Sequence, residues 1–79
     1  MKLTPIAANQ TLVEFDNGIE VFFSYRTPVA CHIAGEGYFR TTEWFSQTTT
    51  RHINKYLGGA SAKEVTQDSI EAITARVEV

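Results

Sequence analysis

The 79-residue chain has one cysteine, one tryptophan, two prolines and no long apolar run, and each scarcity excludes something. A lone thiol, Cys31, cannot close an internal disulfide, so the fold has no covalent staple and a reducing compartment is expected. No stretch approaches the roughly 18 consecutive apolar residues of a membrane-spanning helix, which excludes membrane integration by that route. The first ten residues, among them Lys2, Thr4, Pro5, Asn9 and Gln10, are too polar for a signal peptide. A cytoplasmic location is the expectation. Cations are scarce as well: seven Lys and Arg against nine Asp and Glu leave a net charge of −2 and a pI near 5.6. Nucleic-acid binding rests on a large basic face that releases counterions, and this balance disfavours it as the main activity.

What remains is the composition of an ordinary globular protein, 43% hydrophobic and 20% charged, which reads as one domain over residues 1–79. A chain this short buries only about 60% of the surface that its unfolded form exposes, so modest stability or help from a partner is expected. The charge is unevenly spread. Residues 44–63 carry Arg51, Lys55 and Lys63 and no acid, whereas the segments before and after are net acidic.

Thr11 to Phe15 and Ile19 to Tyr25, rich in β-branched and aromatic residues, flank Asp16, Asn17 and Gly18 and predict a hairpin. A two-residue turn would mix the faces. A three-residue turn with a left-handed Gly18 sets Phe15 opposite Ile19 and Val13 opposite Val21, at the cost of Glu14 facing Glu20, and is preferred. Pro28 suits the start of a third strand, Val29 to Ile33 alternates, Gly35 to Gly37 turns the chain, and Tyr38 to Thr42 forms a fourth. Such closely spaced strands favour an antiparallel meander, because parallel pairing needs a crossover of about a dozen residues.

The period changes after Trp44. Ile53, Tyr56 and Leu57 share one face of a helix over about 47–57, with Thr48, Arg51 and Lys55 opposite. Ser46 or one of Thr48 to Thr50 caps it, Phe45 packs just before it, and Gly58 and Gly59 end it. Ala60 to Val65 reads as a connector or short strand. Thr66 caps a second helix over about 67–77, with Val65 and Ile70 as a hydrophobic staple and Ile70, Ile73 and Val77 as its buried stripe. The expected architecture is α+β, a four-stranded antiparallel sheet within 11–42 followed by two short helices packed on one face.

Several residues are candidates for chemistry. Thr48, Thr49, Thr50 and Arg51 at a helix start offer donors for an anion, although Ser and Thr are also the ordinary caps there and that structural role is preferred. His52 borders the buried face and reads as a packed histidine sooner than a base. Cys31 and His32 point to opposite faces and cannot act as a dyad, and Cys31, on the Val29 and Ile33 side, reads as an inert core thiol. Neither a paired metal-ligand spacing nor a Gly-rich phosphate loop is present, so no metal and no cofactor is expected. Tyr25, Tyr38 and Trp44, with Phe22, Phe23 and Phe39, exceed what one face of a small sheet buries, which suggests a partner surface or a second cluster.

The segments SYRTPVA at 24–30 and FSQTTTRHINKYL at 45–57 resemble a family of small uncharacterised proteins encoded largely by phages and other mobile elements, with an S-Y-x-T-P-V-A and a later T-T-x-x-H-I segment. The similarity spans roughly residues 12–57. Ser24, Tyr25, Thr27, Pro28, Thr48, Thr49, His52 and Ile53 match; Cys31 does not. The resemblance implies an accessory protein in a host cell's cytoplasm and no established reaction. The functional expectation is therefore a non-enzymatic protein that binds a host or phage macromolecule, in the first instance a protein, and so inhibits a host defence or regulatory complex. Acidic surface at both ends suits a target that itself binds nucleic acid. The alternatives are a weak nucleic-acid binder using Arg51, Lys55 and Lys63 beside Tyr56, and a small ligand binder or enzyme centred on Thr48 to His52. A homodimer through the N-terminal hairpin is a further expectation.

Overall fold

The computed structural model describes residues 2–77. Its strands are β1 (Lys2–Ala7), β2 (Gln10–Glu14), β3 (Ile19–Ser24), β4 (Thr27–Ile33), β5 (Gly37–Thr41) and β6 (Ala62–Val65), and its helices are α1 (Gln47–Leu57) and α2 (Gln67–Val77). The six strands form one sheet in chain order, antiparallel from β1 to β5 and parallel between β5 and β6. α1 is the crossover that makes the parallel pair.

The β2–β3 turn takes the bulged form. Phe15 N–H donates to Ile19 O at 2.8 Å, Gly18 has φ 85°, and Val13 pairs with Val21 and Glu14 with Glu20. A Cβ on Gly18 would also meet Ala34 Cβ at 3.0 Å, so glycine is required there by space as well as by backbone. Hydrogen-bonded pairs recur every second residue from Phe15, which turns the polar groups of Leu12 and Glu14 toward β1. Their partners are Thr4 and Lys2, leaving the backbone of Leu3 and Pro5 on the open edge. Pro5, without an N–H, costs no ladder bond there and blunts the edge against a further strand.

The two helices lie on opposite faces. Val21 and Phe22 are neighbours in β3, point to opposite sides, and are both 0% exposed. Phe22, Val29, Ala30, Ile53 and Leu57 form the cluster beneath α1, with Leu12, Tyr38, Tyr56 and Ala62 packed against it. Val21, Cys31 and Ile70 form the cluster beneath α2, joined by Phe15, Ile19, Phe23, Ile33, Phe39, Val65 and Ile73. Val29 belongs to the α1 side because a bulge between Phe22 and Phe23 shifts the register of β4.

The four-stranded antiparallel sheet with both helices on one face is thus corrected in three respects. The sheet has six strands and is mixed, α1 stands between strands instead of after them, and each helix covers its own face. The excess of aromatics has the same explanation: there are two faces to fill. The N-terminal hairpin expected to offer an edge is interior, since β1 covers it. The second helix begins as read, with Ser69 N–H donating to Thr66 Oγ1 at 3.2 Å. The side chain of Val77, the third member of its expected stripe, lies outside the described residues. Among the described residues no helix is long and apolar enough to cross a membrane.

Opposite-face packing has a chemical signature. Ile70→Ala, which opens the cover over Cys31, accelerates labelling by a thiol reagent in the native state, whereas Ile53→Ala, on the other face, accelerates it much less. Each substitution costs about 2–5 kcal/mol, so labelling rates are compared with stability measured by urea unfolding.

Candidate functional site

The start of α1 is fixed by its cap. Ser46 is extended, with φ −166°, and its Oγ accepts the Thr49 N–H at 3.1 Å. The helix ends where Gly58, at φ 58°, donates its N–H to Asn54 O at 3.0 Å. Between these ends Thr49, Ile53 and Leu57 are buried over the sheet, while Arg51 and Lys55 face solvent and Thr48 is half-buried.

The buried stripe carries a polar network at the sheet's end. Ser24 Oγ donates to Thr49 Oγ1 at 3.2 Å, Ser46 Oγ donates to the same oxygen at 3.3 Å, and Ser24 Oγ lies 2.8 Å from His52 Nδ1. In the third contact the roles follow the tautomer of His52: Ser24 Oγ accepts from a protonated Nδ1 or donates to a bare one. Ser24 is 2% and Thr49 6% exposed, so neither oxygen is presented to a ligand. A serine nucleophile needs a substrate within reach of its oxygen, which the burial of Ser24 denies. The arrangement instead ties α1 to the β3–β4 turn and orients the imidazole.

That turn holds Tyr25. Its φ of 59° is left-handed, a region in which a residue with a Cβ costs about 1–2 kcal/mol. Tyr25 N–H donates to Asn9 O at 2.7 Å, and Asn9 is itself at φ 62°. The Tyr25 ring is 51% exposed, with its centroid 5.8 Å from that of His52. A hollow of about 590 Å³ lined by Asn9, Thr11, Tyr25, Arg26 and Thr27, and one of about 290 Å³ that includes Leu3, Val13 and Phe23, adjoin it.

Trp44 stands on the other flank of α1. It is 70% exposed and lines a hollow of about 370 Å³ with Gln47, Thr50 and Arg51. Phe45, expected to pack beneath the cap, remains 36% exposed. The segment before the helix therefore presents two aromatic rings to solvent.

Of the residues singled out in the sequence, Tyr25, Thr49 and His52 come together, while Trp44 and Arg51 form a separate hollow. Lys55 stands on the outward stripe of α1 without joining either group. Tyr38 is packed inward, 4.5 Å from the His32 ring and 5.8 Å from Tyr56. Tyr56 stacks on Phe22 at 4.6 Å and donates its hydroxyl to Glu20 at 2.6 Å. Its pKa is pushed well up, by burial first and then by that bond and the neighbouring carboxylate. Ser24, named in the sequence only as a position of the resemblance, is a site residue that the sequence reading did not single out. Cys31 lies on the α2 face, away from His52, and no group of three or more metal-binding side chains occurs among the described residues.

The fold and site define a small α+β protein with a mixed six-stranded sheet between two helices and a polar network pinning one helix start. The chain belongs to a family of unknown function (DUF8033), whose model matches residues 1–72. This match extends beyond residues 12–57, on which the resemblance rests, and takes in β1, β6 and the first half of α2. No curated protein and no solved structure matches the chain.

Two outcomes follow from the network and from the buried thiol. Ser24→Ala removes the contact at His52 Nδ1 and one of the two hydrogen bonds that reach Thr49 Oγ1, costs about 1–3 kcal/mol, and shifts the imidazole ¹⁵N resonances of His52. Burial, with the Glu36 charge, pushes Cys31 from 9.0 up to about 11. The unfolded thiol ionises first, so stability is complete below about pH 9 and falls as pH rises through about 11, by roughly 2–3 kcal/mol. Cys31→Ala removes this part of the alkaline loss, read from urea midpoints at pH 8 and pH 11.

Proposed function

We propose that the protein is a non-enzymatic accessory protein of a phage or other mobile element that binds a host or phage protein through the end of the molecule where α1 begins. The observation that carries this reading is Trp44, 70% exposed on a segment held by the Ser46 cap. Tryptophan, tyrosine and arginine dominate the binding energy of protein interfaces, and Trp44, Arg51 and Tyr25 are of these types.

Tyr25 supports the same reading. A glycine would relieve its left-handed backbone at once, so the ring is what the strain retains. The enzymatic alternative draws less support, because the Ser24 oxygen is buried away from any substrate. The anion-binding alternative loses Thr49 to the network, and the nucleic-acid alternative loses Tyr56 to the core. A small protein without a reacting group acts by occupying a surface. Occupying one on a host defence or regulatory complex, in the host cytoplasm, is the form of inhibition proposed.

The test compares capture from a bacterial lysate by the wild-type chain, Trp44→Ala and Tyr25→Gly. Trp44→Ala loses the partner with unchanged unfolding midpoint. Tyr25→Gly is stabilised by about 1 kcal/mol and binds more weakly. A partner retained equally by both variants removes this end of the molecule from the interface.

A further inference from the structure

Resting on the binding role just proposed, we infer that the hollow formed by Trp44, Gln47, Thr50 and Arg51 receives an acidic peptide segment of the partner, with an aromatic side chain on the indole and a carboxylate on Arg51. The hollow has a volume of about 370 Å³, is open to solvent, and has room for one large side chain. Its wall is apolar at Trp44 and cationic at Arg51. Gln47 and Thr50 add hydrogen-bonding groups at the rim.

Charge selects the occupant. α1, with the sequence QTTTRHINKYL, contains Arg51 and Lys55 and no carboxylate, in a chain whose net charge is −2. Glu43, next to Trp44 in the chain and exposed, is the nearest acid in sequence, and the helix itself adds none to its first turn. At physiological ionic strength charges more than about 8 Å apart are largely screened, so Arg51, which lines the hollow, sets the local sign against the distant acids, with Glu43 the one acid adjacent to Trp44 in the chain. The planar guanidinium accepts a carboxylate in two parallel hydrogen bonds.

The same magnitudes disfavour a nucleic acid. Two cations neutralise about two phosphates, and a salt slope of roughly −2 or less falls far below that of proteins held by six to ten phosphate contacts. Arg26 and Tyr25 form the other arginine–aromatic pair, but their hollows are walled by strand residues of the β1–β3 end and lack a helix free of acids.

Trp44 is the chain's only tryptophan, so its fluorescence reports this hollow alone. The full chain is titrated with a peptide of aspartate and glutamate around one phenylalanine, the same peptide with alanine for phenylalanine, oligothymidylate and inorganic phosphate. Support is a blue shift and reduced iodide quenching with the first peptide, at least tenfold weaker with the alanine peptide and in Arg51→Glu, and retained in Arg51→Lys in reduced form. No response to the first peptide overturns the inference, as does an equal response to phosphate or a stronger one to oligothymidylate. If Trp44→Ala abolishes partner capture while the peptide fails, the interface stands and its acidic partner chemistry falls. If neither has an effect, both fall.

Discussion

Two adjacent residues in one strand, Val21 and Phe22, are both fully buried, and most of the architecture follows from that constraint. Strand neighbours point to opposite faces, so burying both requires a cover on each side of the sheet. A meander ending in two helices on one face leaves the other wet. The chain meets the requirement by sending α1 over the Phe22 face between β5 and β6, then returning α2 over the Val21 face. β6 is thus a consequence of covering the first face: the chain must come back, and it comes back parallel to β5.

The site is an outcome of how α1 lands. Its buried stripe is apolar at Ile53 and Leu57 but begins with Thr49, which meets Ser24 where β3 leaves the apolar part of the face. Satisfying buried hydroxyls demands partners, and the partners available are one another, His52 and the cap. Closing this network holds two connecting segments at once. The 42–46 segment carries Trp44, and the β3–β4 turn carries Tyr25. Packing inside therefore fixes one end of each segment, Ser46 at the helix cap and Ser24 at the end of β3.

Much of the local structure was legible. Gly18 after Asp16 and Asn17 marked a bulged turn, and the alternation of Val13, Phe15, Ile19 and Val21 chose its register. Gly58 and Thr66 marked helix ends, Ser46 was one of the caps left open with Thr48 to Thr50, and both helices lie where their periodicity placed them. β1 was illegible because an edge strand with Lys2, Thr4 and Pro5 needs no apolar alternation when its outer side meets water. β6 has only four residues, two of them charged and exposed, and its pairing with β5 bridges a helix. Of the candidate site, His52 was recognisable as a residue at the border of the buried face, and Thr49 as one of the polar residues of the helix start. Ser24, on a strand 25 residues away in sequence from Thr49, was not, since nothing local relates the two.

By itself the sequence determined both helices, the hairpin and its register, the start of α2, the burial of Cys31 and the outward cations Arg51 and Lys55. These depend on interactions within a few residues, where propensity and periodicity act directly. Only the tertiary structure decided which face each helix covers, that β5 and β6 run parallel, that Tyr38 and Tyr56 turn inward while Tyr25 and Trp44 remain outside, and that Ser24 meets His52. Those outcomes belong to contacts between distant segments, selected by the need to bury both faces of one sheet and to pair each buried hydroxyl.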